Sequence, residues 1–168
     1  MVKIVTIDWL PEQARFEARG GHPGQVLTIN APHDGAATGF SASELLLAGV
    51  GSCSAWDVVE ILRKQRQRVS TIEVRVEGEQ ATDPPWPYER VRLHFTVTGH
   101  RLNAGKVRKA VELSERRYCT VIATIRGVAE VTCLVDVLEA DAEGGIEPAR
   151  ERIHDADPAD SAISDATA

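Results

Sequence analysis

SASELLLAGVGSCSAWDVVEILRKQR, residues 41–66, decides how this chain is organised. Ser41 followed by Glu44 has the spacing of a capping box, serine at the N-cap and glutamate at N3, so a helix is expected over about 42–66. Its first half is apolar on nearly every side, through Leu45, Leu46, Leu47, Ala48 and Val50. A helix apolar all round is buried rather than laid on a surface. Its second half turns polar on one side and runs into Arg63, Lys64, Arg66 and Arg68. Cys53 sits mid-helix among Gly49, Gly51, Ser52, Ser54 and Ala55. Such small neighbours leave room beside a sulfur for another helix, a substrate or a second thiol.

Upstream, Val2–Trp9, Ala14–Ala18 and Val26–Asn30 read as three strands, broken by Pro11 and by the turn Gly20-Gly21-His22-Pro23-Gly24. Residues 31–40 read as a loop rich in Gly and Ala. Downstream, Ile72, Val74 and Val76 alternate with Glu73, Arg75 and Glu77. Val91, Leu93, Phe95 and Val97 alternate with Arg92, His94 and Thr96. Each run reads as a strand with one buried and one wet face. A second helix is expected from about Asn103 to Tyr118, then Cys119, a short turn over Thr120–Ile125, and a last strand bearing Val131, Cys133, Val135 and Val137. The order β-β-β-α-β-β-α-β segregates strands from helices, which is α+β rather than a doubly wound parallel sheet. One domain over 1–140 is expected, followed by an acidic, disordered tail over 141–168.

The 168 residues are 43% hydrophobic and 26% charged, ordinary for a globular protein. The net charge is −6, and residues 141–168 account for the whole imbalance. No basic face is hinted at, so nucleic acid is not the expected partner. The N-terminus MVKIVTIDWL opens on a strand pattern, and neither a secretory leader nor a membrane span of about 18–20 apolar residues is expected. Three cysteines without a secreted-scaffold spacing suit a reducing cytoplasm, where a disulfide is transient and catalytic.

ASELLLAGVGSCSAWDVVEILRKQRQRV, with its ELLLA…GSC…DVV…L run, and AVELSERRYCTV, where YC closes the second helix, resemble the OsmC/Ohr family of thiol peroxidases. The resemblance covers about residues 1–139 and is closer to the family's ELLLA…GSC branch. It implies an intertwined homodimer with curved antiparallel sheets around two central helices per subunit. It also implies that Cys53 is the peroxidatic and Cys119 the resolving cysteine of an organic hydroperoxide reductase, reset by a dithiol or lipoyl-type reductant, with no cofactor. Two positions depart from the better-known branches. Ser43 stands where they carry a glutamate, and His22 stands where an arginine holds the thiolate, with Arg19 just before the glycines as the spare cation. A non-catalytic dimer that senses redox state or binds a small ligand is the alternative on the same scaffold.

The remaining residues have plainer readings. Cys133 alternates with valines and reads as core, Trp56 as core or as pocket lining, and Glu44 as a cap. Asp57 lies one turn after Cys53 on the same helix face, where an unpaired carboxylate would oppose thiolate formation. Three cysteines and five histidines raise zinc, but no C-x-x-C or H-x-x-x-H spacing supports it, and no metal is expected. GGHPG lacks the lysine and following helix of a phosphate loop.

Overall fold

A computed structural model describes residues 2–30, 39–140 and 146–147. Strands β1 (Thr6–Leu10), β2 (Arg15–Arg19) and β3 (Val26–Asn30) form a three-stranded antiparallel sheet in chain order. β1 starts four residues later than expected from the alternation at Val2. A 3₁₀ turn over Pro11–Gln13 and a left-handed Ala14 (φ 46°) reverse the chain into β2. Trp9 and Phe16 are cross-strand partners, and their rings meet at a 49° tilt with 4.7 Å between centroids.

Helix α1 (Ala42–Lys64) starts on the expected capping box. Glu44 N–H donates to Ser41 Oγ at 3.3 Å, and Ser41 N–H donates to Glu44 Oε2 at 2.8 Å. Arg66 (φ 57°) turns the chain into β4 (Arg68–Gln80), which pairs antiparallel with β5 (Tyr88–His100). Then come α2 (Ala104–Leu113), a π-helical turn over Ser114–Tyr118, α3 (Thr120–Ile125), β6 (Glu130–Ala140) and the two-residue β7 (Ile146–Glu147). The second sheet has the order β4-β5-β6-β7.

β5 and β6 pair in parallel, whereas antiparallel sheets were expected. The reason is the connection. Residues 101–129 carry the helices across one face, and a crossover of that length returns the chain in its original direction. β7 adds two residues of the stretch expected to be a disordered tail; the rest of that stretch and the loop 31–38 lie outside the described residues.

The inner face of the second sheet carries Val91, Leu93, Phe95 and Val97, all buried beneath α1 and α2. Cys133 lies beside Leu93 in the parallel register, which places it half-buried against this core, as expected. α1 contributes Val50, Val58 and Leu62, each fully buried. It approaches β4 so closely at Gly51 that a Cβ there would stand 2.8 Å from a Val76 methyl. In length and composition α1 is a possible membrane span, contrary to the sequence reading. It packs on β4 and α2 along one side only, and 28% of its most apolar stretch is buried, less than the all-round burial expected from its sequence.

Leu62 reaches the bottom of this core, so Leu62→Ala should cost about 2–5 kcal/mol of stability. Ser41→Ala removes the cap and should cost about 0.5–2 kcal/mol. Urea denaturation monitored by circular dichroism measures both, and an unchanged midpoint for Leu62→Ala would contradict the packing.

Candidate functional site

Cys53 and Asp57 stand one turn apart on α1, and Cys119 caps α3. The fold brings the three together: both sulfurs and a carboxylate oxygen of Asp57 lie within 4.8 Å of one another. Cys119 is buried, while Cys53 and Asp57 are half-buried, so the cluster opens on one side.

Ser114 organises it. Its side chain, fully buried, donates to Asp57 Oδ2 at 3.0 Å and shares a 2.8 Å hydrogen bond with the fully buried Ser54 hydroxyl. Its carbonyl accepts the Cys119 N–H at 2.9 Å, the hydrogen bond that closes the π-helical turn. π-helical turns of this kind occur frequently at functional sites. Sequence reading placed Ser54 among the small neighbours of Cys53 and did not pair it with Ser114. A serine recurring at a buried helical position was the available signal.

Cys119 Sγ accepts the Ile122 N–H at 3.4 Å at the start of α3. Burial nevertheless dominates and pushes the Cys119 thiol up to about 11; the Ile122 N–H opposes this and the neighbouring Cys53 adds to it. Burial first, then the Glu115 charge, pushes the Cys133 thiol up to about 12, which fits a packed thiol outside the cluster.

The two expected cations stand elsewhere. Arg19 pairs with Asp8 and, at 2.9 Å, with Glu17 on the first sheet. His22 lies exposed in the turn before β3, where its N–H donates to Gln25 Oε1 at 3.2 Å. Among the described residues, neither is a hydrogen-bond or ion-pair partner of Cys53. Trp56, read as core or pocket lining, is instead 66% exposed, on the uncovered side of α1. The Ser43 carbonyl accepts from the Tyr88 hydroxyl at 3.1 Å, and its neighbour Glu44 is held by the cap. Ser43, Leu46, Trp86, Tyr88 and Val128 line an apolar cavity of about 470 Å³ near the start of α1.

Residues 33–133 match the family model described as OsmC-like protein. The chain belongs to the OsmC/Ohr family. It is 36% identical to protein YhfA of Escherichia coli K12 over 124 residues, 74% of this chain and 89% of YhfA. A hypothetical protein of Aquifex aeolicus has a solved structure that superposes with a TM-score of 0.74 at 27% identity, covering 84% of this chain and 99% of that one. The organic hydroperoxide resistance protein OhrB of Bacillus subtilis shares the fold at a TM-score of 0.57 and 17% identity, covering 80% and 98%. The α+β class expected from the order of elements and the OsmC-like fold expected from the cysteine motifs are thus the ones observed.

The raised Cys119 thiol fixes a pH dependence. A folded-state value above that of the unfolded chain stabilises the fold fully below the unfolded pKa, and the contribution is lost as pH rises through about 11. Native Cys119 should therefore resist iodoacetamide until pH approaches about 11, but label in urea like an ordinary thiol of pKa about 8.5. Peptide mapping reads this, and equal native and unfolded rates at neutral pH would contradict the shielding.

Proposed function

We propose that the chain is a thiol-dependent reductase of organic hydroperoxides. The observation that carries this reading is the approach of the Cys53 and Cys119 sulfurs within 4.8 Å. In the first step the Cys53 thiolate attacks the distal peroxide oxygen. The O–O bond breaks, the alkoxide takes a proton, and Cys53 becomes a sulfenic acid. In the second, the Cys119 thiol displaces the hydroxyl, giving a disulfide and water. A dithiol reductant, lipoyl-type in the family resemblance, returns both thiols and is itself oxidised. The half-exposed Cys53 suits the attacking role, and the buried, protonated Cys119 suits the resolving one.

The assembly proposed for this reading is a homodimer. The first sheet exposes Ile7, Trp9, Val26 and Leu27, and α1 exposes Leu46, Trp56 and Val59. Seating these faces on a second copy removes large apolar surfaces from water, the dominant favourable term in association. It also moves the turn at His22 onto another protomer's surface, where His22, or else Arg19, supplies a cation for the thiolate. The absence of such a contact within the protomer favours the second reading, a non-catalytic redox-sensing dimer. A cytoplasmic setting, reducing enough to recycle the thiols, belongs to both readings.

Turnover of cumene and tert-butyl hydroperoxide with a dithiol separates the two. Cys53→Ser should abolish turnover. Cys119→Ser should stop after one turnover, with a dimedone-trappable sulfenic acid on Cys53. His22→Ala should slow the first step more than Arg19→Ala. Brief peroxide treatment should lower the intact mass by about two hydrogens. Rates no better than free thiol would end the enzymatic reading.

Light scattering at micromolar concentration should report twice the chain mass of 18.3 kDa. A folded 18.3 kDa species would sink the dimer.

A further inference from the structure

We propose that Cys53, Asp57 and Cys119 form a binding site for one thiophilic divalent cation of the Zn²⁺ class. The spacing argument against zinc concerned ligands close in sequence; here the donors come from two distant segments and converge only in the fold. Three donor atoms already lie within 4.8 Å of one another. A tetrahedral zinc centre with Zn–S of ~2.3 Å and Zn–O of ~2.1 Å has donor–donor edges of roughly 3.5 Å, so modest side-chain adjustment closes the site. Two thiolates with one carboxylate select a borderline-soft cation over Mg²⁺ or Ca²⁺, which take oxygen ligands.

The surroundings of the donors are those of a metal site. Ser114 Oγ donates to Asp57 Oδ2 at 3.0 Å, which orients the carboxylate and leaves its other oxygen for a cation. Ile122 N–H donates to Cys119 Sγ at 3.4 Å and orients the sulfur. Ser54 and Ser114, both fully buried, hold this arrangement between α1 and the π-helical turn. Hydrogen bonds of this kind to ligand atoms tune affinity. Cys53 and Asp57 are only half-buried, so a fourth position faces the open side and takes water or a small ligand. The inference rests on the placement of the donors and not on the peroxidase reading. Both use the same two sulfurs, so a bound cation and peroxide attack exclude one another.

The test uses the full chain, reduced and metal-free under anaerobic conditions, titrated with Co²⁺ as the spectroscopic stand-in for Zn²⁺. One Co²⁺ should bind per chain, with thiolate-to-cobalt charge-transfer and tetrahedral d–d bands that Zn²⁺ abolishes and Mg²⁺ does not. Cys53→Ser, at a half-exposed position that should not disturb folding, should weaken the charge-transfer band and the affinity. Ser114→Ala should lower affinity by about 10- to 100-fold with the bands retained. Asp57→Asn should lower affinity at least as much, and Cys133→Ser should change nothing. No charge-transfer band in the wild type, or undiminished affinity in Cys53→Ser or Asp57→Asn, overturns the site. A chain that binds Co²⁺ yet consumes no hydroperoxide overturns the peroxidase reading alone. One that turns over peroxide without binding Co²⁺ overturns the metal site alone.

Discussion

A hydrogen-bonded knot at Ser114 holds the site. One residue acts twice: its hydroxyl ties Ser54 and Asp57 of α1, and its carbonyl ties the backbone of Cys119. Both serines are fully buried, so removing one partner strands a polar group, at a cost of about 1–3 kcal/mol, in addition to losing the bond. The position of Cys119 relative to Cys53 therefore depends on a contact between α1 and the π-helical turn rather than on the cysteines. In a regular α-helix the Cys119 N–H would bond to the carbonyl four residues back. The bond to Ser114, five back, leaves Cys119 free to leave the helical path and cap α3.

The knot also creates an electrostatic problem. Two thiols and a carboxylate crowd into one half-open pocket. Like charges at such separations disfavour ionisation of each other. Cys119 yields, its thiol held protonated by burial and by Cys53. A cluster of this kind is consistent with a single reactive thiolate beside a neutral thiol, and equally with a cation that makes both thiolates and the carboxylate compatible.

The outer surfaces follow a different logic. The polar face of the second sheet is laced with exposed pairs such as Arg92–Glu77 and Arg90–Glu79, which contribute little to stability. The apolar surface is elsewhere, on the outer side of α1 and on the first sheet. In a single protomer α1 is buried on one side only, by β4 and α2, although its sequence is apolar around most of its first half. That mismatch between composition and burial is the ground on which a second copy is proposed.

Much of this was legible in the residues. The capping box at Ser41 and Glu44 placed α1 to within two residues, because an N-cap is a local device. Alternation located β4, β5 and β6, though each runs a few residues further than the apolar pattern, since ladder hydrogen bonds continue past the buried face. The two cysteine motifs named the family. Other features needed the fold. The parallel β5–β6 pairing followed from the path of the crossover, which periodicity does not encode. The capture of Arg19 by Asp8 and Glu17 depended on strand register. The convergence of Cys53, Asp57 and Cys119, and the serine that locks them, joined segments far apart in the chain. Local sequence determined which residues form helices and strands and which thiols were available. Tertiary structure alone decided which of them meet, because a contact across a buried interface is set by packing and not by distance along the chain.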